Sequence, residues 1–502
     1  MIEILDTTLR DGEQTSGVSF AASEKLHIAN FLLSELNVNR LEIASAKVSE
    51  GEYQTVQQIA RWAEIHNFID RIEVLGFVDD EISLQWVKNA GIKVMNLLCK
   101  GSLKHCREQL RKTPEQHLAD IQNVLKKAGT MNIAINIYLE DWSNGMVNSS
   151  GYVFYLMDNL KDTNIKRFML PDTLGILNPA NTGQFCRTMI EKYPGLHFDF
   201  HAHNDYDLAV GNIFTAVQAG IQGVHTTING LGERAGNAPL ASVIAMLHDQ
   251  LKLKTNIREE FLNSAGRLVE SYSGLRIPNN KPIIGDSVFT QCAGIHADGD
   301  NKNNLYFNDL LPERFGRSRE YALGKMSGRA NIKKNLEAMG MSVDEEVMKK
   351  ITQRIIELGD KKELVTQDDL PYIIADVLHL EKSDRIRIVN YSLSLTQGLR
   401  PTATVRIAID GKEYEQTAPG DGQYHAFSKA LWKIYSLLGK PTPTLTDYNV
   451  SIPPGGQTDA LVQTSISWNF KGKDFKTRGL DVDQTEAAIK ATVRMLNIIE
   501  EM

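Results

Sequence analysis

The sequence predicts an α/β protein with a (β/α)8 barrel first, a helical segment next and a duplicated βββα domain last. Between Ile2 and about Leu251, eight short apolar runs alternate with longer amphipathic segments, as in parallel strands connected by helices. Residues from about 255 onward have mainly helical periodicity, and from about 383 strand runs precede a helix twice. The predicted domains are therefore 1–254, 255–382 and 383–502.

The eight predicted strands are IEILD, RLEIA, RIEVLGF, KVMNLL, AINIYL, RFMLP, HFDFH and GVHTTI. Eight strand–helix units in about 250 residues match a (β/α)8 barrel, whereas a doubly wound sheet more often has about five or six strands. Polar residues follow almost every run. Because barrel enzymes place their active sites at the carboxyl ends of the strands, we expect the chemistry there.

The segment from 255 to 382 contains amphipathic stretches at 259–274, 330–340 and 344–360. A loop rich in Gly and Asn is predicted near 294–304. We expect an accessory helical subdomain.

The C-terminal part contains an internal repeat. Tyr448 follows Tyr391 by 57 residues, Ala460 follows Ala403 by 57, and Ala491 follows Ala430 by 61. A βββα unit duplicated with one short insertion explains these offsets. Such a domain commonly binds an effector or pairs subunits, and it lacks the acids and histidines of a second active site.

Composition excludes several classes of partner. The net charge of −7 offers no basic excess for nucleic acid or an anionic membrane, and no run of about 18 apolar residues or secretory signal occurs. The four cysteines, Cys99, Cys106, Cys186 and Cys292, lack paired spacing, which favours packing roles in a reducing compartment. We therefore expect a cytoplasmic protein that acts on small molecules, without nucleic acid or membrane as a partner.

The strongest local constellation is His201-Ala202-His203 at the end of an apolar strand. Histidines at i and i+2 of a strand share one face, here the barrel interior, as two metal ligands require. A lone strand histidine would more often be a core residue. Asp11 can add a carboxylate and Asn237 an amide oxygen, which predicts a divalent metal site open to zinc, manganese or magnesium.

Seven motifs occur in order: DTTLRDGEQTSG, Glu42 on the second strand, LPDTLG, HAHNDYDLA, INGLGERAGNAPL, AGIHADG and LGKMSGR. They resemble the family of isopropylmalate, homocitrate and citramalate synthases and hydroxymethylglutaryl-CoA lyases. The resemblance covers the barrel and the helical segment, and the duplicated domain is similar to the allosteric domain of the synthases. One departure is the stretch Gln291-Cys292-Ala293-Gly294-Ile295-His296, where isopropylmalate synthases usually have His-Glu-Ser-Gly-Ile-His.

The resemblance implies a condensation of acetyl-CoA, as co-substrate, with a 2-oxo acid held by the metal. The implied metal ligands are Asp11, His201, His203 and Asn237. The other implied roles are Arg10 at the ketone oxygen, Glu42 orienting Arg10, Thr173 on the substrate carboxylate, and His296 as base with Glu140 and Tyr306. Simpler interpretations remain open: a structural ion pair for Arg10, a surface position for His296 and packing for Tyr306.

Tyr138 distinguishes members of the family. It lies two residues before Glu140, so both side chains face the barrel centre. Isopropylmalate and homocitrate synthases usually have Ser there, whereas citramalate synthases resemble this chain. Leu75 and Leu98 are expected to complete an apolar wall, unless they are plain core. The resemblance therefore implies pyruvate as acceptor in isoleucine biosynthesis; 2-oxoisovalerate is the alternative, and a lyase is less favoured because lyases usually have Gly-Cys at Glu233-Arg234.

The resemblance also implies isoleucine as feedback inhibitor and a homodimer or higher homo-oligomer. Tyr424, Tyr448 and Ile452 are the candidates for the effector-binding site. Core packing is an equal alternative for each of them.

Overall fold

The computed structural model describes residues 2–300, 302, 305–360, 365, 370–377, 386–451 and 462–501. The chain divides into two compact units, Met1–Ile373 and Ile374–Met502. Among the described residues, no helix combines the length and the apolar character needed to cross a membrane.

The N-terminal unit begins with a closed barrel of eight parallel strands in the order β1 to β8, with β8 pairing back to β1. The predicted barrel is confirmed. Its strands are β1 Glu3–Asp6, β2 Arg40–Ser45, β3 Ile72–Phe77, β4 Val94–Lys100, β5 Ala134–Glu140, β6 Phe168–Asp172, β7 Phe198–Ala202 and β8 Gly223–Thr226.

Helices follow the strands and cover the barrel. They are α1 Ala22–Asn30, α2 Glu50–Ile65, α3 Ile82–Asn89, α4 Pro114–Met131, α5 Trp142–Asn148, α6 Ser150–Leu160, α7 Pro179–Lys192, α8 Ala209–Ala219 and α9 Leu240–Asp249. Local sequence sets their starts. The Thr113 hydroxyl accepts a hydrogen bond from the Gln116 backbone N–H while the Gln116 side chain bonds Thr113 N–H, a capping box that starts α4.

The rest of the N-terminal unit is mainly helical. Its elements are α10 Leu262–Ser273, β9 Thr290–Gln291, α11 Gly294–Asp300, β10 Glu320–Tyr321, α12 Arg329–Ala338 and α13 Glu345–Asp360, and α14 Leu370–Val377 crosses the boundary between the units. The loop predicted near 294–304 is wrong in its first half, because 294–300 form α11. Gly294 lies directly against the Gly328 backbone, where a side chain would clash, so this glycine serves close packing and is not a loop signal.

The C-terminal unit contains two three-stranded antiparallel sheets, each followed by a helix. The first copy is β11 Ile386–Ser394, β12 Thr402–Ile409, β13 Lys412–Pro419 and α15 Gln423–Leu437; the second is β14 Thr444–Ser451, β15 Val462–Phe470, β16 Lys473–Asp481 and α16 Gln484–Glu501. Both copies contribute to one apolar core.

The pairing of the strands shows where the insertion in this repeat lies. The register of β11 shifts between Ile388 and Asn390, and that of β14 shifts 57 residues later. Ala403 pairs with Leu393 and Ala418, whereas the residue in its place in the second copy is Thr464, 61 residues later, which pairs with Val450 and Gly479. The expected equivalence of Ala403 and Ala460 is therefore wrong, since the four extra residues fall between the first two strands.

Candidate active site

The four predicted metal ligands lie together at the carboxyl end of the barrel. His201 and His203 extend from β7, with Nε2 atoms 3.6 and 3.9 Å from Oδ2 of Asp11 in the loop after β1. His203 also pairs through its backbone with Asn237, which brings the loop after β8 into the site. Each of the four side chains is buried.

The unpaired atoms of this group fit a bound cation. The amide nitrogen of Asn237 donates to Asp11 Oδ1 (2.8 Å) and to the Leu231 carbonyl (3.0 Å), which fixes the orientation of the amide. Its oxygen, and Nδ1 of both histidines, are buried without a hydrogen-bond partner. Because buried polar atoms are seldom left unpaired, and carboxylate, imidazole and amide oxygen together suit a divalent ion, the residues present fit a metal.

Electrostatics keep these groups in their ligating forms. Burial would raise the pKa of Asp11, but the Arg10 guanidinium and the two imidazoles hold it below its usual range. Burial also lowers the pKa of His201 well below its ordinary value, and lowers that of His203. An ionised carboxylate and neutral imidazoles are the species that bind metals.

Arg10 is fixed beside these ligands by three contacts. Its Nη1 donates to Asp11 Oδ2 (2.8 Å), its Nε to Glu42 Oε2 (2.7 Å) and its Nη2 to the Tyr138 hydroxyl (3.3 Å). Glu42 is itself held by the hydroxyl of Thr7 (2.7 Å) and the amide of Asn96 (2.8 Å). The guanidinium therefore has one defined orientation.

An apolar cluster lies inside the barrel next to Arg10. It consists of Leu5, Leu75, Tyr138 and Met169, with Leu98 partly buried against it. The three residues predicted for the acceptor pocket, Leu75, Leu98 and Tyr138, are thus brought together.

Thr173 and Glu140 also lie at this end of the barrel. The Thr173 hydroxyl oxygen accepts a hydrogen bond from the Asp141 backbone N–H (2.9 Å), so its own hydrogen is available to another group. Glu140 forms an ion pair with the buried Lys100. This pairing was not predicted, since nothing in the spacing of Lys100 indicates a partner one strand away.

His296 and Tyr306 form a separate pair. Their ring centroids are 4.3 Å apart, and His296 Nδ1 lies 3.2 Å from the Gln291 side-chain oxygen. Within the described part of the chain, neither ring has a hydrogen bond, ion pair or ring contact with the barrel residues named above. The described residues therefore show no direct interaction between this predicted base and the predicted metal ligands within one chain.

Two residues next to the site, His225 and Asp199, were not predicted from the sequence. His225 on β8 bonds the Tyr138 hydroxyl and a carboxylate oxygen of Asp199 on β7, and both side chains are fully buried. A signal did exist: Asp199 shares the inward face of β7 with His201, and a buried carboxylate requires a partner.

In the C-terminal unit, two of the three predicted effector residues meet. The Tyr424 and Tyr448 rings are 5.4 Å apart, and the Tyr424 hydroxyl lies 2.8 Å from that of Thr492. Ile452 lies outside the described residues.

Family models match three consecutive parts of the chain. The HMGL-like model matches residues 1–269, which is more than half of the chain. A homocitrate synthase post-HMGL domain-like model matches 283–363, and a LeuA allosteric (dimerisation) domain matches 364–500.

Curated relatives match over nearly their full length. A putative (R)-citramalate synthase of Methanopyrus kandleri is 33% identical over 93% of this chain and 89% of its own. An (R)-citramalate synthase of Methanocaldococcus jannaschii is 32% identical over 99% of both chains. A probable 2-isopropylmalate synthase of Methanopyrus kandleri is 33% identical over 99% of this chain and 98% of its own.

Proposed function

Because the chain belongs to the HMGL-like family, we propose that it condenses acetyl-CoA with pyruvate and that water then hydrolyses the thioester of the product, which releases (R)-citramalate and CoA. The chain would then be an acyltransferase of isoleucine biosynthesis in the cytoplasm. One observation carries the choice of pyruvate. Tyr138 occupies the apolar cluster beside Arg10, where an acceptor held at the metal ligands would place its side chain.

Asp11, His201, His203 and Asn237 would hold a divalent ion. The ion supplies Lewis acidity to the keto oxygen of the acceptor. Arg10 faces the same region, and its fixed guanidinium stabilises the alkoxide that develops as the acetyl carbon attacks the ketone. Glu42 is a positioning residue, because it accepts from Arg10 Nε while Nη1 and Nη2 extend toward Asp11 and Tyr138 at the site.

The methyl proton of acetyl-CoA must be removed for attack, and His296 is the proposed base. The Gln291 side-chain oxygen accepts from His296 Nδ1–H, which leaves the lone pair on Nε2 to take the proton. Tyr306 packs against the imidazole, and Glu140 assists from the barrel. Among the described residues, His296 has no hydrogen bond, ion pair or ring contact with the barrel site, and together with the match to a dimerisation domain this supports a homodimer in which α11 of one subunit serves the barrel of the other.

The alternative acceptor is 2-oxoisovalerate, as in the isopropylmalate synthases among the relatives. Its isopropyl group needs the space that the Tyr138 ring fills. Forcing its two extra carbons into filled space costs about 1 to 3 kcal/mol or more, whereas losing their burial costs only about 0.8 kcal/mol for each, so steric exclusion is the stronger effect.

Release of CoA across a panel of pyruvate, 2-oxobutyrate, 2-oxoisovalerate and 2-oxoglutarate tests the proposal. We expect the highest kcat/KM with pyruvate. A higher value with 2-oxoisovalerate would contradict the acceptor assignment while leaving the condensation itself intact. No CoA release with any acceptor at saturating metal would contradict both.

The proposed regulator is isoleucine, the end product of such a pathway, bound by the C-terminal unit. The match to an allosteric domain supports this, as do the adjoining rings of Tyr424 and Tyr448 from the two copies of the repeat.

A further inference from the structure

Below the metal ligands, a chain of buried side chains connects Arg10 to the interior of the barrel. Arg10 Nη2 contacts the Tyr138 hydroxyl at 3.3 Å, the hydroxyl lies 2.9 Å from His225 Nδ1, and His225 Nε2 lies 3.1 Å from Asp199 Oδ2. The Arg40 guanidinium binds the same oxygen of Asp199.

Each hydrogen bond in this chain has a defined direction. Asp199 accepts from the Arg40 guanidinium and lies 2.9 Å from His197 Nε2 and 3.1 Å from His225 Nε2, and a carboxylate paired with a guanidinium only accepts. His225 therefore carries a proton on Nε2 and offers the Nδ1 lone pair to Tyr138. The Tyr138 hydroxyl donates its proton to this lone pair, and its oxygen accepts from Arg10 Nη2.

We propose that His225 is a positioning residue that sets the acceptor size by fixing the Tyr138 ring in the pocket. The inference rests on the proposed function, since it concerns the same acceptor site. Two contacts hold the ring: its hydroxyl bonds His225 Nδ1, and the two rings meet edge to face, with centroids 5.4 Å apart at an interplanar angle of 82°. Without the hydrogen bond the ring can tilt, and the pocket accepts longer side chains.

His225 also touches a metal ligand, because its ring lies 5.4 Å from that of His201. The two contacts have different kinetic consequences. A disturbed His201 lowers the rate with every acceptor, since all would be held at the same metal. A loosened Tyr138 changes the ratio between small and large acceptors.

Two substitutions of His225 test the hydrogen bonds of its two ring nitrogens separately. In His225→Asn the side-chain oxygen can occupy the position of Nδ1 and accept from Tyr138, but the bond to Asp199 is lost. In His225→Gln the amide can occupy the position of Nε2 and donate to Asp199, but the acceptor for Tyr138 is lost. Tyr138→Phe keeps the ring and removes only the hydroxyl.

The measurement is kcat/KM for pyruvate and for 2-oxobutyrate in each variant, together with metal content and the midpoint of thermal unfolding. His225→Gln is expected to lower the preference for pyruvate by roughly 3- to 10-fold, the effect of one hydrogen bond. His225→Asn should stay closer to the wild type. Tyr138→Phe should match His225→Gln, and the double variant should show no further change in the ratio.

An unchanged ratio in His225→Gln, or equal losses with both acceptors, overturns the inference. If the His225 variants fail to fold, Tyr138→Phe decides alone, since an unchanged ratio there shows that the hydroxyl has no positioning role. A wild type that prefers 2-oxoisovalerate contradicts the proposed acceptor and leaves these ratios measurable.

Discussion

The barrel and the C-terminal unit bury different kinds of side chain. The barrel encloses ionised groups in contact with one another, among them Arg10, Asp11, Arg40, Glu42 and Asp199. The described residues of 386–451 and 462–501 bury hydroxyls and an amide but no charged side chain.

We infer from this difference that the barrel carries the chemistry and that the C-terminal unit has a binding role. Buried charges are costly unless they are paired, and replacing them with apolar residues often stabilises a protein. We therefore propose that function explains the many buried charges of the barrel, through the need to orient Arg10 and the proposed metal ligands. The C-terminal core, which includes Phe427, Leu431, Ile434 and Trp468, needs no such explanation.

The largest expected effect follows from removing one metal ligand from the barrel. His203→Ala should lower kcat by at least about 100-fold, the scale of losing one preorganised electrostatic group, and should reduce the bound metal. Enzyme assays and metal analysis of purified protein measure both. His66→Ala, at an exposed histidine of the same barrel, is the matched control. Full activity after chelation would show that these buried groups are structural.

The second effect concerns the apolar pocket of the barrel. Tyr138→Ser should raise kcat/KM for 2-oxoisovalerate relative to pyruvate by about 10-fold or more. The smaller side chain opens space for the isopropyl group and so removes an overpacking penalty of about 1 to 3 kcal/mol. The same acceptor panel measures it. If the ratio stays constant, Tyr138 does not set acceptor size, and the isopropylmalate alternative gains support.

Much of the barrel could be predicted from the sequence, because strand periodicity and the alternation of His201 and His203 are local signals. The ligands' proximity follows from the rule that parallel barrel strands end on one face. Contacts between strands could not be predicted: the pairing of Lys100 with Glu140, or of His225 with Asp199, depends on the register of the closed barrel. Helix α11 was missed because Gly294 was interpreted as a loop residue, whereas it allows the Gly328 backbone, distant in sequence, to approach closely.

A third prediction concerns the C-terminal unit, where binding should alter the rate without touching the chemistry. Isoleucine should inhibit the wild type, and Tyr448→Ala should weaken that inhibition by about 5-fold or more, within the range of ordinary allosteric coupling. Calorimetry with isoleucine, leucine and valine on the full chain measures binding. Tyr414→Ala, on β13 of the same unit, is the control. If isoleucine neither binds nor changes the rate, the regulatory proposal is wrong although the catalytic one stands.

The smallest expected effect is on stability, and it uses a buried carboxyl of the barrel that is not assigned to the chemistry. Burial raises the pKa of Asp6 to about 7, although hydrogen bonds from Thr8 oppose the shift. In the unfolded chain this group ionises near pH 4, so between about pH 4 and pH 7 each unit of rising pH favours the unfolded state by about 1.4 kcal/mol. Asp6→Asn removes this dependence and keeps an oxygen for the Thr8 N–H. The stability of the variant relative to wild type should therefore rise by about 1.4 kcal/mol from pH 5 to pH 6 and level off above pH 7. Denaturant unfolding of chelator-treated protein measures this difference.

Asp421→Asn, at an exposed position of the C-terminal unit, is the control. If the stability of both variants relative to wild type changes equally with pH, the barrel tolerates the ionised Asp6. The buried acid is then as well solvated as an acid on the surface of the C-terminal unit.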